Sequence, residues 1–266
     1  RNYMKIVNPK REDYNNRKEY FWLIQSLNAM NKTFNIVQTR IALLALYDVK
    51  EREIISSDQF KKAVLAMENF HFAFTAICSL RTNNLESIYS RFAIALRKST
   101  DKSETSAIVQ RKLIEPLDKL YPSYDLFAIR FKELLFVKRD SPLNIKTKYA
   151  IYKLNSHFGG KEAFEDDGSI EHILPETTEG HALNIGNLIL LEGKINSDAG
   201  NRCYADKIPF YEQSKYPWVA KFINSNPKWN DEMIDKRATK LATIYYKAIL
   251  EKDLPVDIGI NIETIV

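Results

Sequence analysis

The residues best equipped for chemistry lie late in the chain: Glu171 beside His172, then Asn187, Asn196 and Lys207. An imidazole, with an unperturbed pKa of about 6.5, is largely neutral at physiological pH and can take up a proton. A carboxylate and an amide oxygen form a sparse set of hard ligands, leaving most octahedral positions of Mg²⁺ to water and phosphate oxygens. Glu171, His172 and Asn196 therefore supply the parts for metal-assisted hydrolysis of a phosphodiester: ligands to hold the ion against the phosphate, and a base for the attacking water.

These residues need a frame. Ser169 to Pro175 is a short apolar run ended by proline, which reads as a strand entering a turn. A loop containing Gly180, Gly186 and Asn187 leads to a second apolar run, Leu188 to Leu191, and a helix is expected from Lys194. The order is strand, loop, strand, helix. Neighbours in a regular strand point to opposite faces, so Glu171 and His172 share one site only if the chain bends there; Pro175 and its loop offer a bend.

Most of the remaining chain is helical. From Arg17 to about Arg139 apolar residues recur at three and four, as in Phe60, Val64, Met67 and Phe70, and polar punctuation divides this stretch into six or seven helices before Gly159. Ser57 or Asp58 is the clearest N-cap. An acidic loop, Glu162 to Gly168, precedes the first strand. A last long helix runs from about Asn230 to Lys252, capped by Asn230 or Asp231, and an extended tail follows from Leu254 to Val266. The fold class expected is mainly α (α+β), a helical bundle with an embedded ββα unit.

Composition narrows the function. The chain has 266 residues, 45% of them hydrophobic, enough for one large core or two modest ones. Cys78 and Cys203 are too few and too far apart for a disulfide framework or a cysteine-ligated zinc. With no apolar run long enough to span a membrane and no secretory pattern at the start, a cytoplasmic protein without membrane contact is expected. The net charge of +5 suits a nucleic-acid partner without requiring one. There are eight glycines and no G-x-x-x-x-G-K pattern, which argues against nucleotide hydrolysis. A chain that opens on Arg1 is expected to be a fragment whose missing part lies upstream.

Several tempting features have plain explanations. Phe70, Phe72 and Phe74 around His71 read as core and its edge, and Arg91, Arg97, Lys98, Lys102, Arg111 and Lys112 as solvated helix faces. His181 reads as an exposed loop histidine, and neither His71 nor His157 receives a role. Lys207 is either a candidate phosphate contact or a surface lysine.

Taken together, Glu171-His172-Ile173-Leu174-Pro175, Asn187-Leu188-Ile189-Leu190-Leu191 and Asn196 resemble the HNH, or ββα-metal, nucleases in the variant with Asn at the third position. Ile185-Gly186-Asn187-Leu188, Asn196-Ser197, Asn201 and Lys207, with Trp229, Ile234 and Arg237 in the last helix, resemble the C-terminal nuclease domain of GmrSD-type and SspE-like modification-dependent restriction enzymes. The resemblance covers about Asn144 to Leu250. It implies His172 as general base, Glu171 and Asn196 as ligands of Mg²⁺ or Mn²⁺, and Asn187 as the residue orienting the His172 loop. It implies a nicking endonuclease acting on double-stranded DNA in defence against foreign DNA, with a sensor domain upstream. The zinc-stapled branch carries cysteine pairs where this chain has Glu192 and Ile195, so no structural zinc is expected and the finger must be held by packing. The expected division is 1–143 helical region, 144–252 nuclease region with its closing helix, and 253–266 tail. The alternative is an inactive DNA-binding or assembly module that keeps only the finger fold.

Overall fold

The computed structural model describes residues 2–159, 168–177 and 181–256. Most of the acidic loop before the first strand, Gly180 and the last ten residues of the tail lie outside the described residues. The chain divides into two compact units, Arg1–Pro122 and Ser123–Val266. The division falls earlier than the expected one after residue 143, because the helix that begins after Ser123 packs on the closing helix of the second unit.

The first unit is all helix: α1 (Asn2–Val7), α2 (Phe21–Asn28), α3 (Thr39–Glu51), α4 (Ser57–His71), α5 (Asn84–Lys98), α6 (Lys102–Ile108) and α7 (Glu115–Asp118). Its core is the apolar stripe read from sequence, with Leu43, Leu46, Phe60, Val64, Met67 and Phe92 buried and α3 packed on α5. The cap of α4 is Ser56, whose side chain accepts from Gln59 N at 3.2 Å, one residue before the expected Ser57. Phe70, Phe72 and Phe74 are all buried, because the end of α4 and the π-helical turn Phe72–Ile77 are enclosed on every side. Buried among them, His71 bonds Thr75 Oγ1 at 3.0 Å through Nδ1 and Tyr89 OH at 2.8 Å through Nε2. The six basic residues named above are exposed, as a solvated face requires.

The second unit surrounds a small ribbon with helices. In order it contains α8 (Tyr124–Lys132), α9 (Leu143–His157), β1 (Gly168–His172), β2 (Leu188–Glu192), α10 (Gly193–Ala199), α11 (Tyr204–Tyr211), α12 (Pro217–Ser225) and α13 (Asp231–Ile244), which runs on as a π-helical turn, Tyr245–Ile249. The two strands pair antiparallel, from Gly168 opposite Glu192 to His172 opposite Leu188. Leu188 to Leu191 are all buried because α9, α10 and α12 lie against β2, which explains an unbroken apolar run where an exposed ribbon would alternate. Asn230 caps α13 through Met233 N, as expected. Helices α11 and α12 were not foreseen; Pro217 at the start of α12 and the Trp218–Val219–Phe222 face are their sequence signals. No helix among the described residues is long and apolar enough to cross a membrane.

Candidate active site

Asn187 fixes the turn that follows His172. Its side chain takes the N–H of Leu174 (2.9 Å) on Oδ1 and gives Nδ2 to the carbonyls of Leu174 (2.8 Å) and Ala182 (2.7 Å), while its own carbonyl accepts from Ile173 N (2.9 Å). Trp229 Nε1 adds a further bond to Oδ1 at 3.1 Å. A fully buried amide with its donors and acceptor occupied has no capacity left for a substrate, so Asn187 acts by position.

Behind Asn187 stands Arg237. Its Nη1 donates to the carbonyls of Gly186 (2.7 Å) and Leu188 (2.8 Å), which bracket Asn187, and its guanidinium lies 5.2 Å from the Trp218 ring, 4.9 Å from Phe222 and 6.0 Å from Trp229. Burial draws its pKa down to about 9. Gly186 is required for this closeness, since a Cβ there would come within 2.0 Å of the Ile234 carbonyl oxygen. The ribbon is thus fastened to α13 by hydrogen bonds and packing.

The segment after α8 runs beside the turn before β2: Phe136 N donates to Leu183 O and Ile185 N to Leu134 O, each at 2.9 Å. This brings the Phe136 carbonyl to His172 Nε2, also at 2.9 Å. A carbonyl only accepts, so Nε2 carries the proton and Nδ1 of the neutral ring presents its lone pair. Nδ1 is buried and has no hydrogen-bond partner among the described residues. Burial holds the ring below its ordinary pKa; the Phe136 bond and Glu176 oppose this, and Lys138 and Lys207 add to it.

Glu171 leaves β1 on the other face. Its Oε1 accepts from Lys207 Nζ at 2.7 Å and from Tyr211 OH at 2.9 Å, and Lys207 also donates to the His172 carbonyl at 2.6 Å. Glu171 and Lys207 are each 1% exposed, so Lys207 is not the surface lysine that the sequence allowed. Burial pushes the Glu171 carboxyl up and the Lys207 ammonium down, while their mutual attraction works against both shifts. Strand pairing continues through His172, so the bend that a shared site would need begins after His172 rather than between the two residues.

Asn196, on α10, donates Nδ2 to Ser169 Oγ (2.8 Å) and to Ile170 O (3.1 Å). The Ile170 carbonyl demands a donor, so Oδ1 is turned away from the strand. Strand alternation puts Ser169 and Glu171 on one face, which places Asn196 on the face that carries Glu171. Among the described residues no hydrogen bond reaches Glu171 Oε2 or Asn196 Oδ1. No group of three or more His, Cys, Asp or Glu among them could hold a metal. Glu171 Oε2 and Asn196 Oδ1 are hard oxygen donors of the kind Mg²⁺ takes, and do not amount to an all-protein cage.

Residues 121–244 match the family model of GmrSD restriction endonucleases, C-terminal domain. The match spans a little under half of the chain and runs from just before α8 to the end of α13, so the GmrSD C-terminal domain coincides with the helical frame and ribbon of the second unit. That unit is therefore similar to the C-terminal domain of restriction endonucleases of the GmrSD type. A comparison with curated proteins gives no match.

Three contributors escaped the sequence reading. Phe136 acts through its carbonyl, which any residue could supply. Lys138 Nζ bonds Asn201 Oδ1 at 2.8 Å, and its charge is felt at both Glu171 and His172. Tyr211 completes the cradle of Glu171; with Tyr204, Lys207 and Ile208 it forms a stripe at helical spacing in which a lysine interrupts the apolar face, a pattern that predicts a buried ion pair.

Proposed function

We propose that the second unit is a metal-dependent DNA endonuclease of the HNH type, the effector of a modification-dependent restriction or anti-phage system, with His172 as its general base. The observation carrying this reading is the orphaned Nδ1 of His172. With Nε2–H committed to the Phe136 carbonyl, the ring is held in the tautomer that can accept a proton at Nδ1. Water admitted with the substrate gives its proton to that nitrogen as its oxygen attacks phosphorus, and the bond from phosphorus to the leaving sugar oxygen breaks, that oxygen taking a proton from solvent water. Asn187 keeps the His172 turn in place, with Trp229 and Arg237 supporting it. Lys207 and Tyr211 hold the Glu171 side chain through Oε1. Mg²⁺ or Mn²⁺, held by Glu171 Oε2 and Asn196 Oδ1, would neutralise charge developing on the phosphate. One such centre per chain makes nicking of one strand the expected product.

The test is conversion of supercoiled plasmid to open-circle or linear form. The chain is expected to cut with Mg²⁺ or Mn²⁺ and to stop with EDTA, whereas His172→Ala, at equal concentration and with an unchanged circular dichroism spectrum, does not. Equal cutting by both proteins rejects His172 as the base. The alternative, an inactive module, draws on Glu171 Oε1 being occupied as in a structural ion pair; it predicts DNA binding without Mn²⁺ binding, which a metal titration reads directly.

A further inference from the structure

Beside the His172 turn lies a cleft of about 670 Å³, lined among others by Pro175, Tyr204, Pro227 and Trp229. This is within the range of about 300–1,000 Å³ typical of small-ligand sites. We propose that this cleft seats one nucleotide of the DNA strand, one to three positions from the phosphate cut at His172, with Lys138 and Lys228 contacting the flanking phosphates. The inference rests on the nuclease reading of the same unit.

Four observations carry it. The first is reach: Pro175 is three residues past His172, a span of about 10 Å at most, and stacked DNA places a phosphate about every 3.4 Å along a strand. The second is charge. Lys228 lines the cleft and Lys138 is tied to its rim through Asn201, and among the described residues neither lysine has a carboxylate within ion-pair range. Glu176 accepts from the backbone N–H of Lys138 and not from its ammonium, which bonds Asn201, while Asp206 accepts from Cys203 Sγ at the cleft wall. The third is surface chemistry: Pro175 and Pro227 give the wall apolar surface on which a base can pack, Tyr204 and Trp229 being themselves nearly buried, and Asn230, whose Oδ1 is used in capping α13, keeps Nδ2 as a donor for a base edge. The fourth is coupling. Trp229, a residue of the cleft wall, gives its indole N–H to Asn187, so a base seated there bears on the same clamp that fixes the His172 turn.

A built-in probe makes this testable. Cys203 is exposed on the cleft wall, and the other cysteine, Cys78, is buried. The rate of maleimide addition to Cys203 is measured on the full chain in EDTA, with and without a duplex oligonucleotide whose binding is followed by fluorescence anisotropy. Saturating duplex is expected to slow the addition at least about tenfold. Lys138→Ala and Lys228→Ala are each expected to lower the salt slope of binding by about one, with the addition rate of the free protein unchanged. The proposal is overturned if duplex binds while Cys203 reacts at its free rate, if no duplex binds at low salt, or if protection at equal occupancy survives in the Lys138→Ala/Lys228→Ala double variant. Failure of the two readings is separable. Cleavage that depends on His172 without protection of Cys203 retires the cleft alone, and protection without cleavage in Mg²⁺ or Mn²⁺ retires the nuclease reading alone.

Discussion

Two histidines, one in each unit, are equally buried and differently employed. His71 is 1% exposed with both ring nitrogens bonded, to Thr75 and Tyr89; His172 is 1% exposed with Nε2 bonded to a carbonyl and Nδ1 left without a partner among the described residues. Leaving a buried polar atom unsatisfied costs about 1–3 kcal/mol, so proteins seldom do it without a use for the atom. Burial of a histidine is therefore uninformative by itself, whereas the state of its second nitrogen distinguishes His172, the proposed base, from His71, although Asn155 and Arg237 also leave buried polar atoms without partners among the described residues.

The largest expected effect breaks the symmetry between the two rings. His172→Ala should lower plasmid cleavage by about 10²–10⁴-fold, the usual contribution of a general base, and cost less stability than the same change at His71 because one hydrogen bond is lost rather than two. His71→Ala should do the reverse. It strands the buried Tyr89 hydroxyl and opens a cavity, at a cost of roughly 2–4 kcal/mol, with cleavage per folded molecule preserved. If His71→Ala abolishes cleavage while the chain stays folded, the contrast fails.

Next in size is the ion pair on the other face of β1. Lys207→Met leaves the Glu171 carboxylate buried with Tyr211 as its remaining donor, and removal of one partner from a buried pair costs about 3–5 kcal/mol. Adding Glu171→Gln should recover much of that loss, which a urea-denaturation series on the single and double variants would read. Full stability of Lys207→Met alone would mean that the pair contributes little and that Glu171 is free to hold a cation.

His71 also sets a pH dependence. Burial lowers its pKa from 6.5 to about 4. In the window between those values the unfolded chain binds a proton that the native ring refuses, so stability is fully present above about pH 6.5 and falls with decreasing pH until about pH 4. The slope attributable to one such group approaches about 1.4 kcal/mol per pH unit. Urea midpoints across that window should decline less steeply for His71→Gln than for the parent chain, and parallel declines would reject the assignment.

What the sequence discloses of all this follows from how local each interaction is. The ribbon and the helix after it, the cap at Asn230 and the apolar stripes of α3 to α5 depend on neighbours in the chain, and each is visible as a run, a period or a capping residue. Glu171, His172 and Asn196 stand out in the sequence because few residue types suit the proposed chemistry. Their partners do not. The Phe136 carbonyl has no side-chain signature, Lys138 is one lysine among many, and Lys207 is left open between a phosphate contact and a surface lysine because its burial shows only through the Tyr204 and Tyr211 stripe around it. The compact units divide at Pro122 because α8 packs against α13, a contact between opposite ends of the second unit that no local pattern announces.

The smallest predicted effect applies the same contrast to two helix caps. Ser56 caps α4 through Gln59 N and Asn230 caps α13 through Met233 N, both at 3.2 Å. Replacing either by alanine removes one side-chain acceptor from a helix N-terminus, worth about 1 kcal/mol, so the two losses of stability should be alike. Their surroundings differ: Ser56 begins a core helix of the first unit, and Asn230 lines the cleft beside Trp229. Ser56→Ala should therefore leave oligonucleotide affinity untouched, whereas Asn230→Ala should also weaken it by removing the Nδ2 donor. Equal affinities for the two variants in the anisotropy titration would reduce Asn230 to a cap like any other and take one polar contact away from the cleft.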